Sequence, residues 1–483
     1  MPISRRSFLV AAGASLGASL IAAACAEDDG PNDTAPPDGS DSDVGTTGPD
    51  ATGSSGVEGA LVTRWATDPY ALGSYSFLPV GATPDDRLAL QAPVSPNVLL
   101  AGEHTDTDAP ATTHGALASG RRAAAQLLAE GTTGPVIVVG AGIAGLGAAR
   151  VLADEGVAVI VVEARDRIGG RIHTDTSLGV PIDLGASWIH GVDDNPVADL
   201  ATAIGASWSV TDLDRSITFD ASGAALSSQA ASAAEAAAGE ALSAAVALAE
   251  NFDLDVDVAA VLDEVFDAAV ADGDIEEATR TAAEFEIRRI VEHETAADLS
   301  ELSAWWGDEG AELAGDEALL PGGYSQLLEQ LAEGIEVRLS SPIASVTYPG
   351  GGGKGVVVTL VDGTTVIGGA AIVTLPLGVL QSGAVTFDPP LPDPHTDAIA
   401  RLGMGVLEKL VITAPTRTWA TGTDLFGVNR DDGRFLEWLD LTDHVGAPAV
   451  VAFTAGAPAR SLAGESDDDL VADALATLNS LQT

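Results

Sequence analysis

The stretch that decides the fold is Pro135-Val-Ile-Val-Val-Gly140-Ala-Gly142-Ile-Ala-Gly145-Leu-Gly-Ala-Ala-Arg-Val-Leu152. Four apolar residues, Val136 to Val139, read as a parallel strand covered on both faces. Gly140 permits a tight turn, Gly142 lets the backbone approach a pyrophosphate, and Gly145 lets the next helix pack closely on the strand. That helix offers free N–H groups and a positive dipole end to phosphates. A second apolar strand, Val157 to Val162, ends at Glu163, about twenty residues past the glycines, where a carboxylate can bind ribose hydroxyls. Glycine-rich turns arise by chance, but one flanked by two strands, a helix and an acid reads as an α/β dinucleotide-binding unit.

Directly after Glu163 comes Ala164-Arg165-Asp-Arg167-Ile-Gly169-Gly170-Arg171, whose glycines allow another close backbone approach beside an anion. With this turn the chain resembles the flavin-dependent amine oxidase family, whose FAD site continues in such a Gly-Gly-Arg turn. The resemblance implies a Rossmann-like (glutathione-reductase-like) FAD-binding domain with an α+β substrate domain. By the same match the FAD candidates are Gly140, Gly142, Ile143, Ala144 and Gly145, then Glu163, Ala164 and Arg165, then Gly169, Gly170 and Arg171. Glu163 would hold the adenosine ribose, and the arginines would sit near the diphosphate.

What precedes the fingerprint is the unexpected part. An apolar strand, Val98 to Ala101, delivers Glu103 at its carboxyl end, where open α/β sheets bind ligands. A helix from about Thr113 points its N-terminal N–H groups and dipole at the same place. Arg64-Trp65, Gly73-Ser-Tyr75-Ser, Gly102-Glu103-His104-Thr and Thr112-Thr113-His-Gly together are similar to the C-terminal, FAD-closing segment of amine oxidases. The similarity implies that Gly102, Glu103, Thr112 and Thr113 contact FAD, with Glu103 on the ribityl chain. It also implies that Trp65 and Tyr75 line the substrate side, although a buried Trp is more often simply core. The short connector Glu130 to Gly134 can join this helix to strand Val136–Val139. The order therefore suggests a circular permutation in which Glu103 and Glu163 serve one FAD and Thr483 ends near Glu58.

Pro181-Ile-Asp183-Leu-Gly185-Ala186-Ser187-Trp188-Ile-His190-Gly191 resembles the polyamine oxidase branch of the family. There Gly185, Ala186, Ser187 and Trp188 approach the flavin, and His190 faces the substrate tunnel. Ile343 matches a position whose backbone contacts adenine. Arg401 to Leu410 matches the strand carrying the active-site lysine, here Lys409, which by that match holds a water on flavin N5. A desolvated lysine in such a place has a lowered pKa. Lys354 and Lys409 are the only lysines among 22 basic residues. Lys354 falls in the glycine run 350–355 and Lys409 in an apolar strand pattern. The acids Glu284, Glu286, Glu292 and Glu294 offer partners for a distal ammonium, although most such charges are solvated.

Composition frames these motifs. Ser4-Arg5-Arg6-Ser-Phe-Leu9, an Ala/Gly-rich stretch and Ile21-Ala-Ala-Ala-Cys25 read as a twin-arginine export signal with a lipoprotein-type box. Cys25, the only cysteine, excludes an internal disulfide and a thiol tether to the flavin, so FAD is expected to be non-covalent. Export places the protein in the periplasm or at the cell surface, with a possible lipid anchor at Cys25. The formal charge of −49 argues against nucleic acid as a partner. It suits a solvated surface at high salt, and it would also steer cationic amines.

The expected organisation is a signal at 1–25, an acidic disordered linker at 26–57 and the FAD-closing segment at 58–130. The N-terminal FAD-binding segment follows at 134–195, a helical substrate-domain part at 196–320 and an FAD-domain return at 321–345. Residues 346–483 mix substrate-domain sheet with FAD-domain strands. The function implied is FAD-dependent amine oxidation, pointing to polyamines, by hydride transfer to flavin N5, imine hydrolysis and reoxidation by oxygen to hydrogen peroxide. Alternatives are an L-amino-acid oxidase or other flavoprotein oxidoreductase of the same fold, or a catalytically inactive cell-surface binding scaffold. The partners are then a small cationic amine and molecular oxygen, with no metal.

Overall fold

The computed structural model describes residues 57–212, 216–311, 313–349, 355–419 and 422–482. The signal, linker residues 26–56, Lys354 and Thr483 lie outside these. The deciding stretch folds as strand Val136–Val139, a turn, and helix Ile143–Asp154. The strand is the middle one of a five-stranded, all-parallel sheet. Its order is Glu336–Arg338, Val159–Val162, Val136–Val139, Ala370–Val373, Val98–Leu100.

Continuous apolarity in the central strand is explained by what covers it. Val136 and Val138 pack against the helices Thr113–Ala129 and Ile143–Asp154, through Leu127, Leu152, Leu117 and Leu146. Ile137 and Val139 face the other way, onto Val346, Val356 and Val358 of a four-stranded sheet. Each such side chain contributes roughly 1.5–3 kcal/mol on burial, so neither face tolerates polarity.

The two helices approach so closely that glycine is required. A Cβ on Gly120 would lie 1.9 Å from the Ala144 carbonyl oxygen, and, where the second helix leaves its turn, one on Gly145 would lie 2.0 Å from the carbonyl oxygen of Gly140. The segment before the fingerprint thus shares one core with it. Thr112 starts the first helix by accepting a hydrogen bond from the Gly115 N–H (2.9 Å), a cap contributing about 1 kcal/mol.

A six-stranded sheet forms the second body, in the order Gly59–Val62, Leu407–Thr413, Ala449–Ala455, Glu437–Asp440, Leu425–Val428, Ser216–Phe219. Helix Asp467–Ser480 lies against it, and Val57, Val62, Leu470, Ala474 and Leu481 meet in the same cluster. Glu58 donates its N–H to Thr413 O (2.8 Å). Residues near both ends of the described chain, Val57 and Leu481, therefore pack on one cluster against that sheet.

Helices Ser228–Ala249, Val258–Asp272 and Glu277–Ile287 bury a shared apolar face. The last runs into a π-helical turn, Arg288–Glu292, before His293. The expectation that 196–320 is helical needs correcting. Strands Ser209–Val210, Ser216–Phe219 and Ala318–Leu319 lie within it, and Ser216–Phe219 pairs in parallel with Leu425–Val428. Strands of two to four residues carry too little period to be seen beside long Ala-rich helices.

Candidate functional site

A cavity of about 560 Å³ opens at the carboxyl end of the parallel sheet and runs to the six-stranded sheet. It is lined by Gly140, Gly142, Ile143, Ala144, Glu163, Ala164, Arg165, Gly169, Gly170 and Arg171 from the fingerprint side. Gly102, Glu103, Thr112 and Thr113 line it from the preceding segment, together with Gly185, Ala186, Ser187, Trp188 and Ile343. Trp65, Tyr75, His190 and Lys409 line it too. Gly145 alone among the FAD and catalytic candidates is absent from the wall: it acts behind the wall, by letting the helix meet the turn.

Two ion pairs stitch the segments together across this cavity. Arg171 Nη1 donates to Glu103 Oε1 (2.8 Å) and to Ser74 O (2.8 Å). Arg165 makes a two-pronged contact with Asp68 (2.8 and 2.7 Å). Glu103 and Glu163 thus border one cavity, as expected of a single site.

Glu103 is buried, which alone would raise its pKa. The cations Arg171 and Arg87 and the Ser76 hydroxyl (2.6 Å) outweigh burial and hold it at about 2. Glu163 accepts the backbone N–H groups of Ala141 (2.7 Å) and Arg165 (2.8 Å), which fix the turn's shape.

Lys409 is the sharpest feature. Its Nζ donates to Asp183 O (3.0 Å), Gly185 O (2.6 Å) and Ser187 Oγ (2.6 Å). Burial pulls its pKa from an ordinary 10.5 to about 8, against the opposing pull of the Asp183 carboxylate. Asp183 is itself buried and pushed up to about 6, although Thr174, the Tyr324 N–H and Lys409 favour its charge. Tyr75 Oη donates to His293 O, and Trp65 Nε1 donates to Leu184 O (3.0 Å). Trp65 is therefore both wall and core.

Several wall residues had not been singled out. Strand pairing sets Lys409 opposite Phe453, and Phe453 opposite Glu437, so all three form one row across the sheet. Lys409 Nζ lies 5.6 Å from the Phe453 ring centroid, and Trp188 lies 5.9 Å from it. His293, at the end of the π turn, lines the cavity beside Ile290 and Glu294. Of the four acids weighed for a distal ammonium, only Glu294 lines it. Glu284 pairs with Arg280, Glu286 with Arg289 and Glu292 with Arg288, and the last two acids are buried, not solvated.

The residues present fit a dinucleotide. The glycine turns Gly140–Gly142 and Gly169–Gly170 face each other, with an isolated bridge between Gly142 and Gly169, and a Cβ on Gly142 would come no nearer than 3.8 Å to anything but its neighbours. Backbone N–H groups at two helix starts border the same space. Among the described residues no acid, His or Cys cluster suits a metal.

Comparison with known proteins agrees with this geometry. The family model for flavin containing amine oxidoreductase matches residues 48–128 and 143–482. Polyamine oxidase 4 of Oryza sativa subsp. japonica is 32% identical over 347 residues, covering 70% of each chain. Polyamine oxidase 2 of Arabidopsis thaliana is 31% identical over 344 residues, 69% of each. Lysine-specific histone demethylase 2 of Homo sapiens is 32% identical over 381 residues, 72% of this chain and 43% of that protein.

Proposed function

Since this chain belongs to the flavin containing amine oxidoreductase family and is an FAD-dependent amine oxidase, we propose that its substrates are polyamines. The observation that carries the reading is an apolar wall of Tyr75, Trp188, Ile290 and Phe453 with two acids at it, Glu294 and Glu437, the second also paired with Arg289. An extended amine with several positive centres suits such a wall. An amino acid would need a cation for its carboxylate. The two arginines of the described wall, Arg165 and Arg171, already pair with Asp68 and Glu103, and the Lys409 ammonium already donates to Asp183 O, Gly185 O and Ser187 Oγ.

When bound, FAD supplies the two-electron acceptor and the reaction with oxygen that yields hydrogen peroxide. The chain orients and moves protons. Tyr75, Trp188 and Phe453 shape the channel so that the amine's reacting C–H is held in one place. Lys409, with a pKa of about 8, exchanges a proton with water at the cavity when the imine is hydrolysed. Glu103, held ionised by Arg171 and Arg87, would accept a hydrogen bond from a cofactor hydroxyl. A purified preparation should show a flavin absorption band that bleaches with spermidine in the absence of oxygen and not with L-amino acids. Bleaching by amino acids alone would overturn the polyamine reading, and no flavin band would favour an inactive scaffold.

The Rossmann-like assignment and the circular permutation belong to the same proposal. The five-stranded parallel sheet, the Arg171–Glu103 and Arg165–Asp68 pairs, and the meeting of residues 57–62 with 467–481 support them. We assign export by the twin-arginine route and non-covalent FAD on the sequence grounds above, with a lipid anchor at Cys25 as the associated expectation.

A further inference from the structure

We infer that Glu317 is a positioning residue that fixes the His190 ring so that its Nε2 accepts a hydrogen bond from a substrate N–H. His190 lines the cavity and Glu317 does not. The two residues are brought together by strand pairing: Ala318 sits opposite Ile189 and Leu319 opposite Trp188, so Glu317 and His190 flank the ladder at the same end. His190 Nδ1 lies 2.7 Å from Glu317 Oε2, and the Gly191 N–H donates to Glu317 Oε1 (3.2 Å). Asn195 Nδ2 donates to the carbonyls of His190 and Gly191 (both 3.0 Å), holding the backbone from the other side.

The proton's position follows from the partner. An ionised carboxylate only accepts, so the ring proton of a neutral imidazole facing it is on Nδ1. Nε2 then carries a lone pair and is the second polar atom of a ring whose residue lines the cavity. That arrangement suits a donor-rich amine and disfavours a carboxylate. Without Glu317 the proton is free to sit on either nitrogen and the ring is free to turn. This inference rests on the amine oxidase reading and names which side chain grips the nitrogen.

The test is a double-mutant cycle on the full-length, FAD-loaded protein: wild type, His190→Leu, Glu317→Leu and the double variant. Anaerobic bleaching of the flavin by spermidine gives the half-saturating amine concentration and the limiting rate, with flavin content per protein as a separate readout. Each single variant should raise the half-saturating concentration about tenfold, the size of one hydrogen bond, with flavin content unchanged. Glu317→Leu should add nothing in the His190→Leu background, because it acts through His190. Additive effects, as a purely structural role at Gly191 would produce, overturn the inference, as does an unchanged half-saturating concentration in either single variant. Should Glu317→Leu fail to retain FAD, Glu317→Ser takes its place in the cycle. Wild-type bleaching by benzylamine but not spermidine overturns the polyamine reading alone, and the cycle is then read with benzylamine. No bleaching by either overturns both.

Discussion

Replacing Lys409 by Met isolates the cost of burying a charge in this cavity. The folded pKa of about 8 lies below the ordinary 10.5 because burial disfavours the ammonium. At ~1.4 kcal/mol per pH unit, that difference corresponds to about 3 kcal/mol. Below pH 8 both folded and unfolded chains hold the proton, so the penalty is constant. Between pH 8 and 10.5 the unfolded chain still holds a proton that the folded protein has lost, so stability rises with pH. Above 10.5 it levels off.

Lys409→Met removes the buried charge but also three hydrogen bonds, to Asp183 O, Gly185 O and Ser187 Oγ, at roughly 1 kcal/mol each. The two effects oppose each other. At pH 7 the variant should lie within about 1–2 kcal/mol of wild type, and by pH 11 it should fall behind by a further ~3 kcal/mol. Urea unfolding of both proteins with excess FAD, from pH 7 to 11, gives the difference curve, in which titrations that Lys409 does not influence cancel. A flat difference curve would refute the reasoning. The same variant should retain FAD yet turn over amines more slowly, since Lys409 borders the reacting space.

Two further outcomes follow from the packing. Gly145→Ala places a Cβ 2.0 Å from the Gly140 carbonyl oxygen, so the helix must shift off the turn. We expect a loss of about 1–3 kcal/mol and a lower flavin-to-protein ratio after gel filtration; full flavin content at unchanged stability would mean the close approach is dispensable. Arg289 is buried between Glu286 (2.6 Å) and Glu437 (2.8 Å), under the cavity wall. Arg289→Met leaves two buried carboxylates without their cation and should cost about 3–5 kcal/mol in urea unfolding; a change below ~1 kcal/mol would show that the carboxylates find other partners.

The nucleotide-binding half of the site was legible because its signals are local. A four-residue apolar run, three glycines and a carboxylate each answer to a neighbour within about thirty residues. The substrate half was legible only where a motif carried it, as at Lys409 and Tyr75. Phe453 and Glu437 gave no such signal: each reads as an ordinary strand residue. Glu294 was one of four similar acids, and only its place in the cavity wall sets it apart.

By itself, then, the sequence determined the parallel sheet, the glycine turns and the presence of a lysine in an apolar strand. These depend on backbone sterics and on a hydrophobic period that each segment carries within itself. The tertiary structure decided which residues meet Lys409 and His190. Strand register sets Lys409 against Phe453 and Phe453 against Glu437, and Glu317 reaches His190 the same way, across more than a hundred residues of chain. Register between distant strands is set by which faces are buried together and not by local propensity, and a one-residue slip would turn each of these side chains to the opposite face.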